Sequence, residues 1–156
     1  KKSWLFLSEI ENALTTIQKR YIYDIPLANY PFNACCIPGA RRIYVNTKGE
    51  FLLCERIENS PNIGSIKDGI NIEAIKKFYV KEYSDKSIDE CKKCWAIRLC
   101  RVCYAECYNK NGIDVEEKCK VCKMIRKSVE ENLKLYHEVL EKNPGKLAKL
   151  NELIMA

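Results

Sequence analysis

Ten cysteines crowd into one stretch of this 156-residue chain, and their spacing limits what the chain can fold into. None precedes Cys35 and none follows Cys122. They stand as an adjacent pair, Cys35 and Cys36, then a single Cys54. A dense run follows (Cys91, Cys94, Cys100, Cys103 and Cys107), and a last pair, Cys119 and Cys122, closes the series. The first residues show no charged n-region leading into an apolar core and a cleavage site. The expectation is therefore a cytoplasmic protein, where a reducing medium keeps thiols free. Thiols in such numbers point to metal binding rather than to disulfides. No window approaches about 18 uncharged apolar residues, so neither a membrane span nor a membrane partner is expected.

A thiolate is a soft ligand, suited to zinc, copper(I) or an iron–sulfur cluster. A CxxC unit brings two sulfurs around one centre. Here there are two such units, Cys91–Cys94 and Cys119–Cys122, with Cys100–Cys103 besides and Cys103–Cys107 one helical turn apart. Cys91, Cys94, Cys119 and Cys122 would by themselves satisfy a structural zinc site. Six more cysteines would then remain, and the chain has a single His. Cluster ferredoxins also use dense CxxC-type runs completed by a remote Cys. Spacing alone leaves zinc and clusters both open. The net charge of +6 bears on this. Eight thiolates around two cubane cores would bring about −4 and leave the chain near +2. Lys92, Lys93, Arg98, Arg101, Lys118, Lys120 and Lys123 would partly offset that charge, or else form an ordinary solvated basic face.

The rest of the chain reads as α+β. Leu7, Ile10, Leu14 and Ile17 predict a helix within 3–19, capped by Ser3 or Ser8. Residues 21–35, with two prolines and several aromatics, predict an extended approach segment. Residues 41–54 predict a β-hairpin, with Thr47-Lys48-Gly49 as its turn and Gly49 at positive φ. Residues 57–72 predict a loop with at most a short strand at 63–66, and 73–83 a short amphipathic helix. The strongest helix runs over 116–142 on the stripe Val121, Ile125, Val129, Leu133 and Tyr136. Asn143-Pro144-Gly145 ends it, and 146–155 predicts a last short helix. His137, the single His, lies on that charged helix and is expected at the surface or half-buried rather than in ligation or catalysis. Tyr21, Tyr23, Tyr30 and Phe32 are expected to be core and hairpin cover rather than an RNA platform, and Arg41-Arg42 to be strand-edge charge.

These residues resemble the SPASM domain, the C-terminal auxiliary-cluster domain of radical SAM enzymes that modify peptides and proteins. The family joins a Cys–Gly–Cys hairpin to a CxxC-x5-C-x3-C run and a final Cys. This chain has Cys36, twelve residues, Gly49, four residues and Cys54, followed by Cys91-x2-Cys94-x5-Cys100. Its Cys94-Trp95-Ala96 looks much like the family's Cys-Trp-Ala stretch. The match covers about residues 36–122. The resemblance implies a small irregular domain with a β-hairpin, metal-ligating loops and a long C-terminal helix. It implies two [4Fe–4S] clusters. Cys36 and Cys54 would ligate the first, and Cys91, Cys94 and Cys100 the second. The last Cys of the run would then cross to the first cluster, and the final Cys would return to the second.

The chain departs from the pattern in three places. The position three residues beyond Cys100 is Tyr104, so the crossover falls to Cys103 or Cys107, with Cys103 preferred. The separate upstream Cys of the first cluster is missing; Cys35 or Cys107 would substitute, or one iron would stay open. Cys119 and Cys122 share a helical face, and either could complete the second cluster. Trp95 is expected to shield a cluster from water.

No C-x3-C-x2-C run for the radical SAM cluster occurs, since Cys103-x3-Cys107 is followed by Lys110. The chain starts at Lys1 and is too short for a βα barrel as well. The expectation is a C-terminal piece of a longer maturase, with no S-adenosylmethionine cleavage of its own. Residues 1–34 would be a helix and linker from the barrel, 35–122 the SPASM-like domain, and 123–156 a helical extension. Its partners would be the barrel in cis and a peptide or protein substrate, with no nucleic acid. S-adenosylmethionine would belong to the barrel alone. The rival reading is a zinc-stabilised module that binds protein or RNA, and zinc could also enter a cluster site in an aerobic preparation.

Overall fold

The structure is a computed structural model that describes residues 10–18, 36–40, 42–148 and 150. Cys35, the segment expected over 21–35 and the start of the expected first helix lie outside the described residues, as does Arg41. The chain divides into two compact units. Of the described residues, 36–125 form one, and 10–18 with 126–148 and 150 form the other. The described cysteines all fall in the former, which is α+β. No helix among the described residues is long and apolar enough to cross a membrane.

The cysteine-bearing unit opens with the expected hairpin. Strands β1 (Tyr44–Val45) and β2 (Phe51–Leu52) pair antiparallel, with Tyr44 opposite Leu52. Asn46 builds the turn: its side-chain oxygen accepts from the N–H groups of Lys48 and Glu50, each at 3.0 Å. Gly49 takes φ of 77° as the turn requires. A second hairpin follows where only a short strand was expected, with β3 (Gly64–Ser65) paired to β4 (Gly69–Ile70). It extends the first through Ile63 N–H to the Phe51 carbonyl, 2.7 Å, and Ile66 N–H to the Gly49 carbonyl, 2.9 Å.

The amphipathic helix expected over 73–83 is longer and irregular. Helix α2 runs through Ile72–Ala74, a π-helical stretch Ile75–Lys81, and Glu82–Lys92. Asn71 caps its start by accepting from Ala74 N–H at 2.9 Å. The π-helical stretch and the turn after it carry Tyr79 and Tyr83 into the core, both fully buried. Two carbonyls on this stretch accept tyrosine hydroxyls: Tyr104 donates to Tyr79 at 3.1 Å and Tyr108 to Phe78 at 2.9 Å. Tyr79 in turn donates to the Pro61 carbonyl, 2.5 Å, and its hydroxyl lies 2.9 Å from Ser60 Oγ. Tyr79, Tyr83, Tyr104 and Tyr108 thus form an aromatic centre with ring separations of 5.0 to 5.6 Å. Leu53, Ile57, Ile63, Ile75, Val102 and Val121 complete the core around it.

After α2 the chain makes tight turns at Ile97–Leu99 and Tyr104–Glu106. A third small hairpin, not foreseen, pairs β5 (Tyr108–Asn109) with β6 (Gly112–Ile113). Asp114 then caps α3 (Val115–Lys142), accepting from Glu117 N–H at 3.0 Å. The helix ends before Asn143, and Pro144 opens α4 (Pro144–Ala148).

In the other unit, helix α1 covers the described residues 10–18 and buries Leu14, Thr15, Ile17 and Gln18. Val129, Tyr136, Leu147 and Leu150 are buried in the same unit. The Tyr136 hydroxyl donates to Gln18 Oε1. His137 is exposed, and its ring stands T-shaped to that of Tyr136.

Candidate metal centres

No disulfide joins the nine described cysteines to one another, and they are not arranged in sequence order. Cys36, which lies before β1, and Cys54, after β2, line one cavity together with Cys103 from the distant run. The hairpin explains the first two: the turn at Gly49 folds β2 back so that its end returns beside the chain before β1. Cys103 arrives because Val102 and Tyr104, its neighbours, are both buried in the tyrosine core. The cavity is about 190 Å³, several times a water's share of liquid volume. Leu53, Ile57 and Tyr104 give it apolar walls, while Arg42 and Glu55 bring charge. Arg42 donates to both Glu55 oxygens, at 2.8 and 3.1 Å. A backbone N–H and this guanidinium hold the Glu55 carboxyl below its ordinary range. Cys103 also sits at a helical start, where its sulfur accepts a backbone N–H from Glu106 and the Glu106 carboxylate accepts Cys103 N–H at 3.1 Å.

A second gathering surrounds Lys118. This residue was one of seven basic side chains noted near the run, and it is the one the fold buries, at 4 % exposure. Lys92, Lys93, Arg101, Lys120 and Lys123 are exposed, as a solvated basic face requires. The Lys118 ammonium lies 3.5 Å from Cys91 Sγ and 3.8 Å from Cys122 Sγ, and 5.5 Å over the Tyr83 ring. Burial would lower its pKa, but the sulfurs of Cys91, Cys122 and Cys107 outweigh this and hold it above the ordinary lysine value. Cys100 belongs to the same neighbourhood. Burial pushes its thiol up, opposed by a hydrogen bond from the Val102 backbone, with Cys122 and Cys91 adding to the rise. Tyr83 stands among Cys91, Cys107, Cys100 and Cys122, and burial followed by these groups drives its pKa far up.

The competing cysteines separate. Cys122 faces Lys118, whereas Cys119, three residues earlier on α3, is exposed. Cys107 is 1 % exposed, and its thiol donates to the Cys103 carbonyl at 3.4 Å. Burial pushes its pKa from 9.0 up to about 12. Cys94, half-buried, lies one turn beyond Cys91, its N–H on the Cys91 carbonyl at 3.0 Å. Trp95 departs from expectation: it is 58 % exposed, and its neighbour Ala96 packs inward in its place. Sequence reasoning did not single out Tyr83, Tyr104 or the burial of Lys118. The signal for Lys118 was its position four residues before Cys122, one turn away on the same helical face.

Among the described residues, no group of three or more His, Cys, Asp and Glu side chains is drawn together tightly enough to hold a metal ion. The donor chemistry is nonetheless uniform. Each gathering is built from thiols packed on one apolar core, and Cys36, Cys54 and Cys100 touch that core directly. Such donors fit thiolate-bound zinc or an iron–sulfur group, and they do not fit the hard, oxygen-ligated cations. No family model, curated protein or solved structure matches the chain.

Proposed function

We propose that residues 36–122 form an auxiliary iron–sulfur domain of the SPASM type, serving a radical SAM enzyme that modifies a peptide or protein. The observation that carries this reading is the division of the cysteine run. Cys103 faces the cavity of Cys36 and Cys54, while Cys91 and Cys100 join Cys122 around Lys118. A run split in this way, with a late cysteine returning from α3, supports the crossover that the resemblance implies. A single zinc site on Cys91, Cys94, Cys119 and Cys122 gives no reason for Cys103 to share a cavity with Cys36 and Cys54.

On this reading Cys36, Cys54 and Cys103 would hold a first [4Fe–4S] group, and Cys91, Cys94, Cys100 and Cys122 a second. Such groups, when bound, would supply one-electron transfer to or from the enzyme's reaction site. The residues of this chain orient the thiolates and exclude water. Leu53, Ile57 and Tyr104 wall the first site, and Tyr83 and Lys118 close the second. The three thiols at the first cavity leave one iron for Cys35, or for a substrate thiolate. Cys107, turned onto a backbone carbonyl, is the buried spare, and Cys119 the exposed one.

Anaerobic reconstitution with iron and sulfide tests the proposal. Two cubane groups require about eight irons and eight sulfides per chain, with a broad brown absorption. A colourless chain holding stoichiometric zinc under the same conditions would replace this reading with the zinc-stabilised binding module.

A further inference from the structure

Lys118 is a buried ammonium with an uncommon set of neighbours. It is 4 % exposed, and among the described residues its ammonium donates to two sulfurs, at 3.5 and 3.8 Å. A charge in such a place is expensive unless something anionic faces it. Neutral thiols do not meet that need; metal-bound thiolates do. The other lysines of this part of α3 behave differently. Lys120 is exposed and pairs with Glu117, and Lys123 is exposed. Lys118 also joins two elements, since Cys91 lies in the last turn of α2 and Cys122 lies on α3, one turn beyond Lys118.

We propose that Lys118 sets the reduction potential of the second centre by donating to the sulfurs of Cys91 and Cys122 and so favouring its more negative state. The inference rests on the iron–sulfur reading above. One electron from a low-potential donor takes a four-thiolate [4Fe–4S] group from a net charge of about −2 to about −3 with no bond made or broken. An adjacent buried ammonium is attracted more strongly by the second charge than by the first. The reduced form is therefore stabilised more than the oxidised form, and the potential lies higher than the same four thiolates would give without it. Lys118 acts through the ligands and is a positioning residue, not a catalytic one.

The test uses the full chain, reconstituted anaerobically, with iron and sulfide counted. It is titrated with a low-potential one-electron donor while electron paramagnetic resonance follows each reduced centre. Lys118→Leu and Lys118→Gln should keep the native iron count and shift the midpoint of one centre downward, leaving the other unmoved. Lys118→Arg, which keeps the charge, and the exposed Lys120→Leu should leave both midpoints near native. Full iron with unshifted midpoints in Lys118→Leu would overturn the proposal and leave the iron–sulfur reading standing. An Arg variant shifted as far as the Leu variant would also overturn it. So would loss of the second centre from all three Lys118 variants, which would mark the residue as purely structural. A native chain that takes up no iron would remove the iron–sulfur reading and this inference together.

Discussion

Cys107 offers a direct chemical reading of the core. It is 1 % exposed, and burial raises its thiol from 9.0 to about 12. Well below both values, that rise lowers the thiolate population about a thousandfold. The thiolate that remains is the more basic one and attacks a disulfide about twentyfold faster, for a Brønsted slope of about 0.45. The two effects leave a net slowing of about fiftyfold, before any steric occlusion. The assay treats the metal-free, reduced chain at neutral pH with a small disulfide reagent and reads each mixed disulfide by mass spectrometry. Circular dichroism must first show that the helices are retained. Cys107 should react at least about fiftyfold more slowly than an ordinary thiol, and far more slowly than the exposed Cys119. In strong denaturant the two should converge. The same burial has a stability consequence with a definite sign. The folded state keeps a proton that the unfolded state releases, so this contribution is whole below pH 9 and is lost as pH rises from about 9 toward 12. Within that window stability should fall by up to about 1.4 kcal/mol per pH unit. Equal native rates for Cys107 and Cys119, with helices intact, would refute the packing around Tyr83 and Tyr104.

Three further outcomes follow from single contacts. Cys54→Ser and Cys103→Ser should each lower the iron count from about eight toward four, whereas Cys119→Ser should leave it unchanged; loss of iron from the last would put the exposed cysteine back among the ligands. Asp114→Ala removes the cap on Glu117 N–H and should cost about 1 kcal/mol in urea denaturation. Gly112→Ala places a methyl 2.5 Å from the Glu82 carboxylate at φ of 107°, and should cost roughly 1–3 kcal/mol. An unchanged midpoint for either would contradict the local geometry described.

Local chemistry made part of this fold legible. The turn through Thr47-Lys48-Gly49 follows from the positive φ that Gly49 allows, and most of the 28-residue α3 from a sustained apolar stripe ended at Asn143-Pro144, whereas the Asp114 cap became visible only in the fold. The hairpins at Gly64–Ile70 and Tyr108–Ile113 escaped because their strands are two residues long, too short for alternation to register. Helix α2 was cut short at 83 because Ser84 to Lys92 is strongly polar; the burial of Tyr83, Ser87 and Cys91 holds that segment in place. Its π-helical stretch has no sequence signature at all. At the site, spacing named the candidate cysteines but left pairs of them unresolved. Tertiary packing separates them, because it turns Cys122 toward Lys118 and Cys107 toward a carbonyl, and leaves Cys119 in solvent. Trp95 was misread because an aromatic inside a ligand run suggests shielding, while the small Ala96 is what the interior admits.

The two gatherings share a wall, and this alters what ligand substitutions can report. Tyr104 lines the cavity of Cys36, Cys54 and Cys103, and its ring meets Tyr83 edge-on at 5.6 Å. Tyr83 in turn lies among Cys91, Cys100, Cys107 and Cys122. A change of ligand chemistry at one site that preserves volume therefore leaves the other intact, whereas a void in the wall reaches both. Cys→Ser substitutions keep volume and should separate the centres cleanly. Tyr104→Ala removes the ring, its three aromatic contacts and the bond to the Tyr79 carbonyl. Large-to-small changes of this kind cost about 3–5 kcal/mol, a large share of a small domain's stability. Tyr104→Phe keeps the packing and leaves one buried carbonyl short of a partner, at about 1–2 kcal/mol. The expected order is thus iron retained in Tyr104→Phe, lost from both sites together in Tyr104→Ala, and lost from one site in Cys103→Ser. Iron analysis alongside urea denaturation of the reconstituted chains measures it. If Tyr104→Ala emptied one site and left the other at native occupancy, the shared wall would not be what couples them.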